Sequence, residues 1–351
     1  MDNLEIKRFI ASQFITVSEA MQIIDGNQGG ILFITDSDDR LVGCITDGDV
    51  RRFLLAGGRL SDGVLKAANL NPRFARTIDE AKKTYDNKNF IAIPLVSSDK
   101  KILDIYNGDD GAQRQKKRKS LGIPVVINAG GKGTRLDPFT RVLPKPLIPV
   151  GDLPIIELIM REYQLYSCNE FHIIVNYKRE LIKAYFAESE RRYSISWHDE
   201  EEPLGTGGGL SLLHGQIGTT FFFANCDSLL TANYESMLRF HKDNNNVITM
   251  ACAYRNIRIP YGVVEMGING AIEAMKEKPV VSLLTNTGIY LVEPEVIDDV
   301  GHGEVIGFPD IVERERQKGK KVAVFPVSEN DWADMGQISE LEKMRKKLYG
   351  E

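Results

Sequence analysis

From Ile123 onward, apolar runs of strand length alternate with segments of helical period. Ile123-Pro124-Val125-Val126-Ile127 is a short, nearly unbroken apolar run, the pattern of a strand buried on both faces. Apolar residues three and four apart predict helices over 155–166, 179–186 and 234–241. Runs over 171–175, 193–197, 221–224 and 247–253 predict strands. This alternation predicts an α/β domain, a Rossmann-like and mostly parallel sheet covered on both faces. In such sheets ligands collect at the carboxyl ends of the strands.

The first third has a different rhythm. At an offset of 61, Thr16-Val17-Ser18-Glu19-Ala20 aligns with Thr77-Ile78-Asp79-Glu80-Ala81, and Leu41-Val42 aligns with Ile102-Leu103. Each copy predicts a short strand, a helix opened by Ser18 or Asp79, and two apolar strands joined by a polar turn. Two copies are too few for a solenoid, so they are expected to pair face to face as a small α+β module. The expected boundaries are 1–65 and 66–110 for the copies, 111–120 for a charged linker and 121–351 for the α/β domain.

Copy one ends Gly43-Cys44-Ile45-Thr46-Asp47-Gly48-Asp49, a strand running into a helix start that favours an anion. Thr46 is placed to donate to phosphate and Asp49 to accept from ribose hydroxyls, with Thr16 as a further candidate. The alternative is that Thr46 and Asp47 simply cap the helix. The pattern resembles a CBS pair, a tandem module that senses adenine nucleotides. Copy two has Asp104, Asn107 and Asp110 at the corresponding places, so at most one intact nucleotide site is implied.

Composition narrows the classes. The 351 residues are 42% hydrophobic and 26% charged, with 44 Lys+Arg against 49 Asp+Glu. A formal charge of −5 supplies no basic field for nucleic acid or an anionic membrane. No apolar run approaches the roughly 20 residues of a membrane span. Cys44, Cys168, Cys226 and Cys252 are scattered, which suits a reducing cytoplasm rather than a disulfide framework.

The strand at Ile123 leads directly into Ala129-Gly130-Gly131-Lys132-Gly133-Thr134-Arg135-Leu136. This is not a P-loop, because Gly133 follows the lysine, nor a dinucleotide fingerprint, because Leu136 stands where a small residue is needed. Four prolines, Pro138, Pro144, Pro146 and Pro149, predict that no helix forms before about Pro154. The result is a long loop with bared backbone amides and two cations, Arg135 and Lys145, for a triphosphate. With Pro138 and Pro144-Lys145-Pro146, the loop resembles the opening motif of the sugar-1-phosphate nucleotidyltransferases, a GT-A-like fold, over about two-thirds of the chain.

That resemblance implies roles for later segments. Leu204-Gly205-Thr206 is expected against the base and ribose, opening a helix, with Glu200 at the base edge beside the loop residues Ala129, Gly130, Gly131, Gly133 and Thr134. A carboxylate only accepts hydrogen bonds, and guanine offers it two adjacent donors, so GTP is expected over UTP or dTTP. The competing reading makes Glu200 to Glu202 a solvated acidic rim. Asp227 and Asp334 correspond to the family's magnesium carboxylates. Tyr261-Gly262, Glu277-Lys278 and Asn286 with Gly288 correspond to its sugar-binding segments. Arg135 would hold the leaving phosphates, Lys145 the α-phosphate and Lys278 the attacking phosphate.

A CBS pair ahead of this transferase resembles the guanylyltransferases that make GDP-glucosamine for legionaminic acid synthesis. Glucosamine 1-phosphate is therefore the expected acceptor, with mannose 1-phosphate second and glucose 1-phosphate third. A homodimer is the expected assembly. The rival from another class is a regulatory protein that binds a nucleotide sugar without turnover, and the intact Arg135, Lys145, Asp227, Lys278 and Asp334 weigh against it.

Overall fold

The computed structural model describes residues 6–27, 29–88, 90–108, 118–187 and 192–336. Most of the expected linker, and Asp110 before it, lie outside the described residues. The chain divides into two compact units. One joins Met1–Gln115 to Tyr254–Leu283, and the other joins Lys116–Ala253 to Leu284–Glu351.

In the first unit, copy one has strands Ile10–Ser12, Ile31–Thr35 and Leu41–Thr46 with helices Val17–Asn27 and Asp47–Leu55. Copy two has helix Ile78–Lys88 and the antiparallel strands Ile93–Val96 and Ile102–Tyr106. The copies meet at equivalent positions. Arg40 bridges Lys101, and the adjoining Asp39 and Lys100 both have φ of 63°. Ile31, Phe33 and Leu41 of copy one share a core with Ala92, Val96 and Ile105 of copy two. The pairing face to face expected from the repeat is therefore present.

The helix starts need a correction. They are opened by Thr16 and Thr77, each two residues before Ser18 or Asp79. The Thr16 backbone N–H and hydroxyl both donate to Glu19 Oε2, at 2.7 and 2.8 Å, and Glu19 N–H returns to Thr16 Oγ1. In copy two Glu80 N–H donates to Thr77 Oγ1 at 3.3 Å. A Thr-x-x-Glu box satisfies helix-start amides that would otherwise lack partners, which Ser18, already inside the helix, cannot do.

The same unit contains a second excursion of the chain. Strands Val263–Met266 and Ile272–Lys276 form an antiparallel hairpin between the outer ends of two long strands, Ile248–Arg258 and Val280–Val292. Val264 pairs with Met275 and Met266 with Ile272, an apolar face that is exposed. Tyr254, only 7% exposed, belongs to the same core as Val17, Ala20, Met21, Ile24 and Leu32.

The second unit has the expected α/β architecture, but residues 254–283 of the expected 121–351 domain fall in the first unit, drawn there by contacts such as that of Tyr254. Its sheet has seven strands in the order Ser194–Asp199, Glu170–Val175, Val125–Asn128, Phe221–Asn225, Val280–Val292, Ile248–Arg258 and Val322–Val327. The first four are mutually parallel, and Val280–Val292 runs antiparallel to Phe221–Asn225. One core, built on Ile155, Ile159, Tyr163, Phe171 and Phe222, fills one side. Another, built on Phe221, Phe223, Tyr290 and Phe308, fills the other. Helices Ile155–Gln164, Arg179–Ala187 and Tyr234–Asp243 fall where their periodicity predicts.

Two local expectations change. A single helical turn, Phe139–Val142, forms inside the proline-rich loop. Pro138 precedes it as the N-cap, and prolines on either side of a turn do not interrupt its hydrogen bonds. The expected helix after Leu204-Gly205-Thr206 is a 3-10 segment, Gly208–Leu213.

Candidate active site

The glycine loop leaves the Val125–Asn128 strand at the carboxyl edge of the sheet. Ala129 is buried and its N–H donates to Ile174 O at 2.8 Å, so Ala129 shapes the loop through the ladder rather than offering an amide to a ligand. Gly133 has φ of 66° and faces Thr140 and Lys145 so closely that a Cβ would lie 2.9 Å from Thr140 Cγ2. Thr140 Oγ1 donates to Gly133 O at 3.1 Å and fixes the bend. Gly131, Thr134 and Arg135 are exposed along the loop.

The loop carries Lys145 back to the carboxyl end of Phe221–Asn225, where Lys145 Nζ donates to Asp227 Oδ2. Strand Ser228–Leu230 pairs antiparallel with Trp332–Asp334, setting Ser228 opposite Asp334. Met335 N–H donates to Asp227 O at 2.8 Å. Two carboxylates far apart in the chain are thus locked side by side by a small sheet. Burial first, then the Asp227 charge, raises the Asp334 pKa above the ordinary carboxylate value, while Lys145 and Arg135 act to lower it. Burial acts to lower the Lys145 pKa, but nearby negative groups, Asp227 and Asp334 among them, outweigh it and raise it. Burial pushes the Cys226 thiol to about 12, so it stays protonated beside them.

This donor set fits a magnesium ion. Two carboxylates that repel one another are relieved by a divalent cation, and magnesium takes one or two carboxylates with waters and phosphate oxygens. Among the described residues no group of three or more His, Cys, Asp or Glu side chains could form an all-protein metal cage.

Glu200 does not belong to an acidic rim. It is 3% exposed, whereas Glu201 and Glu202 are exposed. Its carboxylate sits between two glycines. A Cβ on Gly130 would lie 2.6 Å from Oε2, and one on Gly209 would lie 2.8 Å from Oε1. Oε1 has no hydrogen-bond partner. Burial raises the pKa to about 7, with the Leu204 backbone amide acting to lower it. A buried polar atom without a partner is costly, and ligand donors would satisfy it.

Asn128 and Asn176, which the sequence did not single out, hold this geometry together with residues of the motifs. Asn128 Nδ2 donates to Thr206 O at 3.2 Å and Gly205 O at 3.4 Å, tying the glycine loop to Leu204-Gly205-Thr206. Asn176 Nδ2 donates to Glu200 O at 2.9 Å. Gly207 N–H donates to Ile306 O at 3.0 Å, and Thr206 Oγ1 accepts from Phe308 N–H at 2.9 Å. The Thr206 hydroxyl therefore caps the helix Phe308–Gln317. Asn286 Oδ1 accepts from Gly288 N–H at 2.9 Å, and its amide donates to Tyr290 Oη at 2.7 Å. Gly288, with φ of 75°, leaves room for Asn225, whose Nδ2 would lie 2.4 Å from a Cβ there.

The remaining sugar-motif residues lie in the other unit, on and beside the hairpin. Tyr261 is exposed, and Gly262 faces Glu277, whose Oε2 would lie 3.0 Å from a Cβ there. Lys278 holds φ of 46°, an unusual backbone for a non-glycine residue and one that clusters at functional sites.

In the N-terminal module Thr46 and Asp49 form a capping box. Asp49 Oδ2 accepts from Thr46 N–H and Oγ1 at 2.9 and 2.7 Å, and Asp49 Oδ1 accepts from Arg52 at 2.5 Å. Thr16 is engaged in the same way with Glu19. Thr46 therefore caps the helix, as the alternative reading had it, but its partner is Asp49 rather than Asp47.

Comparison with known proteins adds to this geometry. Residues 124–350 match the family described as nucleotidyl transferase, and residues 9–56 match the CBS domain. A mannose-1-phosphate guanyltransferase of Pichia angusta is 33% identical over 60% of this chain and 60% of its own length. A UTP--glucose-1-phosphate uridylyltransferase of Synechocystis is 28% identical over 61% of this chain and 60% of its own. This chain thus spans about 60% of the length of the curated relatives it matches. Among solved structures, HddC from Yersinia pseudotuberculosis superposes with a TM-score of 0.52 at 21% identity, covering 64% of this chain and 99% of that one. It has also been crystallised with GMP-PN. At that identity the likeness is one of fold.

Proposed function

Because the chain belongs to the nucleotidyl transferase family, we propose that it condenses a nucleoside triphosphate with a sugar 1-phosphate, releasing pyrophosphate. The observation that carries this reading is the convergence of Lys145, Asp227 and Asp334 at the carboxyl edge of the glycine-loop sheet. An oxygen of the sugar phosphate attacks the nucleotide α-phosphorus in line. The new P–O bond forms as the bond to the β-phosphate bridging oxygen breaks. The attacking oxygen is already anionic and needs no general base. Catalysis is then positioning and charge neutralisation.

In this reading the amides of Gly130, Gly131 and Thr134 line the phosphates, Arg135 holds the leaving pyrophosphate and Lys145 moves from Asp227 to the α-phosphate. Asp227 and Asp334 would hold magnesium, which when bound supplies charge neutralisation at the phosphates. Tyr261, Gly262, Glu277 and Asn286 would bind the sugar, with Gly288 giving Asn286 its turn and Lys278 holding the sugar phosphate.

The base is proposed to be guanine. The unpartnered Glu200 Oε1 supports it, since guanine N1–H and its 2-amino group present two parallel donors to a carboxylate. Uracil and thymine present one donor flanked by carbonyls. Glucosamine 1-phosphate is the first acceptor proposed, from the CBS-plus-transferase arrangement. Mannose 1-phosphate is the second, supported by the named activity of the Pichia relative. A cytoplasmic homodimer is the proposed setting, supported by the exposed apolar face of the hairpin. Among the described residues no helix is long and apolar enough to cross a membrane.

Pyrophosphate release with GTP, UTP, dTTP or ATP against glucosamine, mannose and glucose 1-phosphates tests the whole reading. GTP is expected to turn over fastest. Faster turnover of UTP would overturn the base assignment, and no turnover of any pair would favour a binding protein. AMP or ATP added to the same assay tests for a ligand on the CBS module.

A further inference from the structure

The hairpin that carries Tyr261, Gly262, Glu277 and Lys278 belongs to the same compact unit as the N-terminal repeat. Two kinds of contact hold it there. Tyr254, at the start of the excursion, is buried in the repeat's own core beside Val17, Ala20 and Ile24. At the base of the excursion, Ser282 Oγ donates to Asn256 Oδ1 at 2.5 Å, joining the outgoing strand to the returning one. Ser18, in the first turn of helix Val17–Asn27, places its hydroxyl 3.2 Å from Ser282 Oγ. A serine hydroxyl has one proton. With that of Ser282 directed at Asn256, Ser18 must be the donor to Ser282. Polarity therefore runs one way, from the repeat helix through Ser282 to Asn256. This clamp lies four residues from Lys278 and five from Tyr261, and Ile259 N–H to Pro279 O at 2.9 Å continues the tie toward them.

We propose that the N-terminal module positions the sugar-binding hairpin, with Ser18, Ser282 and Tyr254 as positioning residues. The proposal rests on the reading of Tyr261, Glu277 and Lys278 as sugar-phosphate ligands. It assigns the module's influence to the acceptor sugar rather than to the nucleotide, whose proposed ligands lie in the other unit. Any event that shifts the start of helix Val17–Asn27 then acts on acceptor affinity.

The test uses the full chain and the sugar 1-phosphate turned over fastest. Ser18→Ala is expected to raise the KM for that sugar phosphate about five-fold, as loss of one net hydrogen bond does, and Ser282→Ala, which loses the bond to Asn256 as well, by at least as much. The KM for the nucleotide is expected to stay within about two-fold, the change that loss of no direct contact allows. The double variant should be no worse than Ser282→Ala alone, because both changes remove the same link. Ser18→Thr, which keeps the hydroxyl, should restore the parent value. An unchanged sugar-phosphate KM, or an equal rise in both KM values, would overturn the proposal. Lys278→Ala separates the two layers. If it raises the sugar-phosphate KM while the serine variants do not, the hairpin reading stands and the positioning role falls. If none of these variants moves that KM, both fall. Should Ser282→Ala fold poorly, Ser18→Ala at the helix end carries the comparison.

Discussion

Lys145 Nζ donates to Asp227 Oδ2, and both side chains are only 12% exposed. The pair joins the proline-rich loop to the end of the central strand and sets a cation beside two carboxylates. Lys145→Ala leaves Asp227 and Asp334 facing one another without their counter-charge. Turnover is expected to fall about 10²–10³-fold while the fold persists, since the loop is also held by Thr140 and Gly133. Single-turnover pyrophosphate release beside a thermal melt checks this, and turnover near the parent's would remove Lys145 from the mechanism.

Metal dependence follows from the same pair. Chelation is expected to abolish turnover and added magnesium to restore it. Asp227→Asn and Asp334→Asn should each raise the magnesium concentration for half-maximal rate by about tenfold or more. A magnesium titration on each variant measures it, and curves that overlay the parent's would exclude these carboxylates as ligands.

Glu200 gives a pH signature. With a folded pKa near 7, raised by burial, the side chain is protonated below that value and accepts poorly from guanine. The KM for GTP is expected to fall about tenfold as pH rises from about 6 to about 8. Glu200→Gln should flatten that profile and weaken GTP against UTP. Stability runs the other way. The folded state holds a proton that the unfolded chain releases near pH 4.5, so this group's contribution to stability declines as pH rises from about 4.5 to about 7. Glu200→Gln is therefore expected to melt higher than the parent at pH 8.

Gly205 is the backbone test. Its φ is 84°, and a Cβ would lie 2.6 Å from Ile306 O. Gly205→Ala should destabilise the α/β unit by about 2 kcal/mol or more and raise the nucleotide KM, because Leu204-Gly205-Thr206 and the Ile306 backbone must part. Thermal unfolding with and without nucleotide reads both effects.

Much of this was legible in the residues. The strand at Val125, the glycines after it, and Arg135, Lys145, Asp227 and Asp334 are side chains whose chemistry is local and whose order is fixed. The capping threonines were also within reach, because Thr16-x-x-Glu19 and Thr77-x-x-Glu80 are visible pairs, although Ser18 and Asp79 competed for the same role. What could not be read was decided by distant partners. Glu200, Glu201 and Glu202 are alike in sequence, and which one is buried is decided by Val175, Asn176 and the glycines at 130 and 209. The carbonyl of Ile306 carries the contact to Gly207, and a carbonyl has no residue type. The segment 254–283 continues the α/β pattern without a break, so nothing along the chain announces its alliance with residues before 116.

That alliance bears on how such a protein can be cut or grafted. A truncation that removes the first 115 residues would not detach a domain. It would strip the cover from Tyr254 and add its ring to the apolar strand ends already exposed, inviting aggregation. A graft of the repeat onto another transferase would need the hairpin to travel with it.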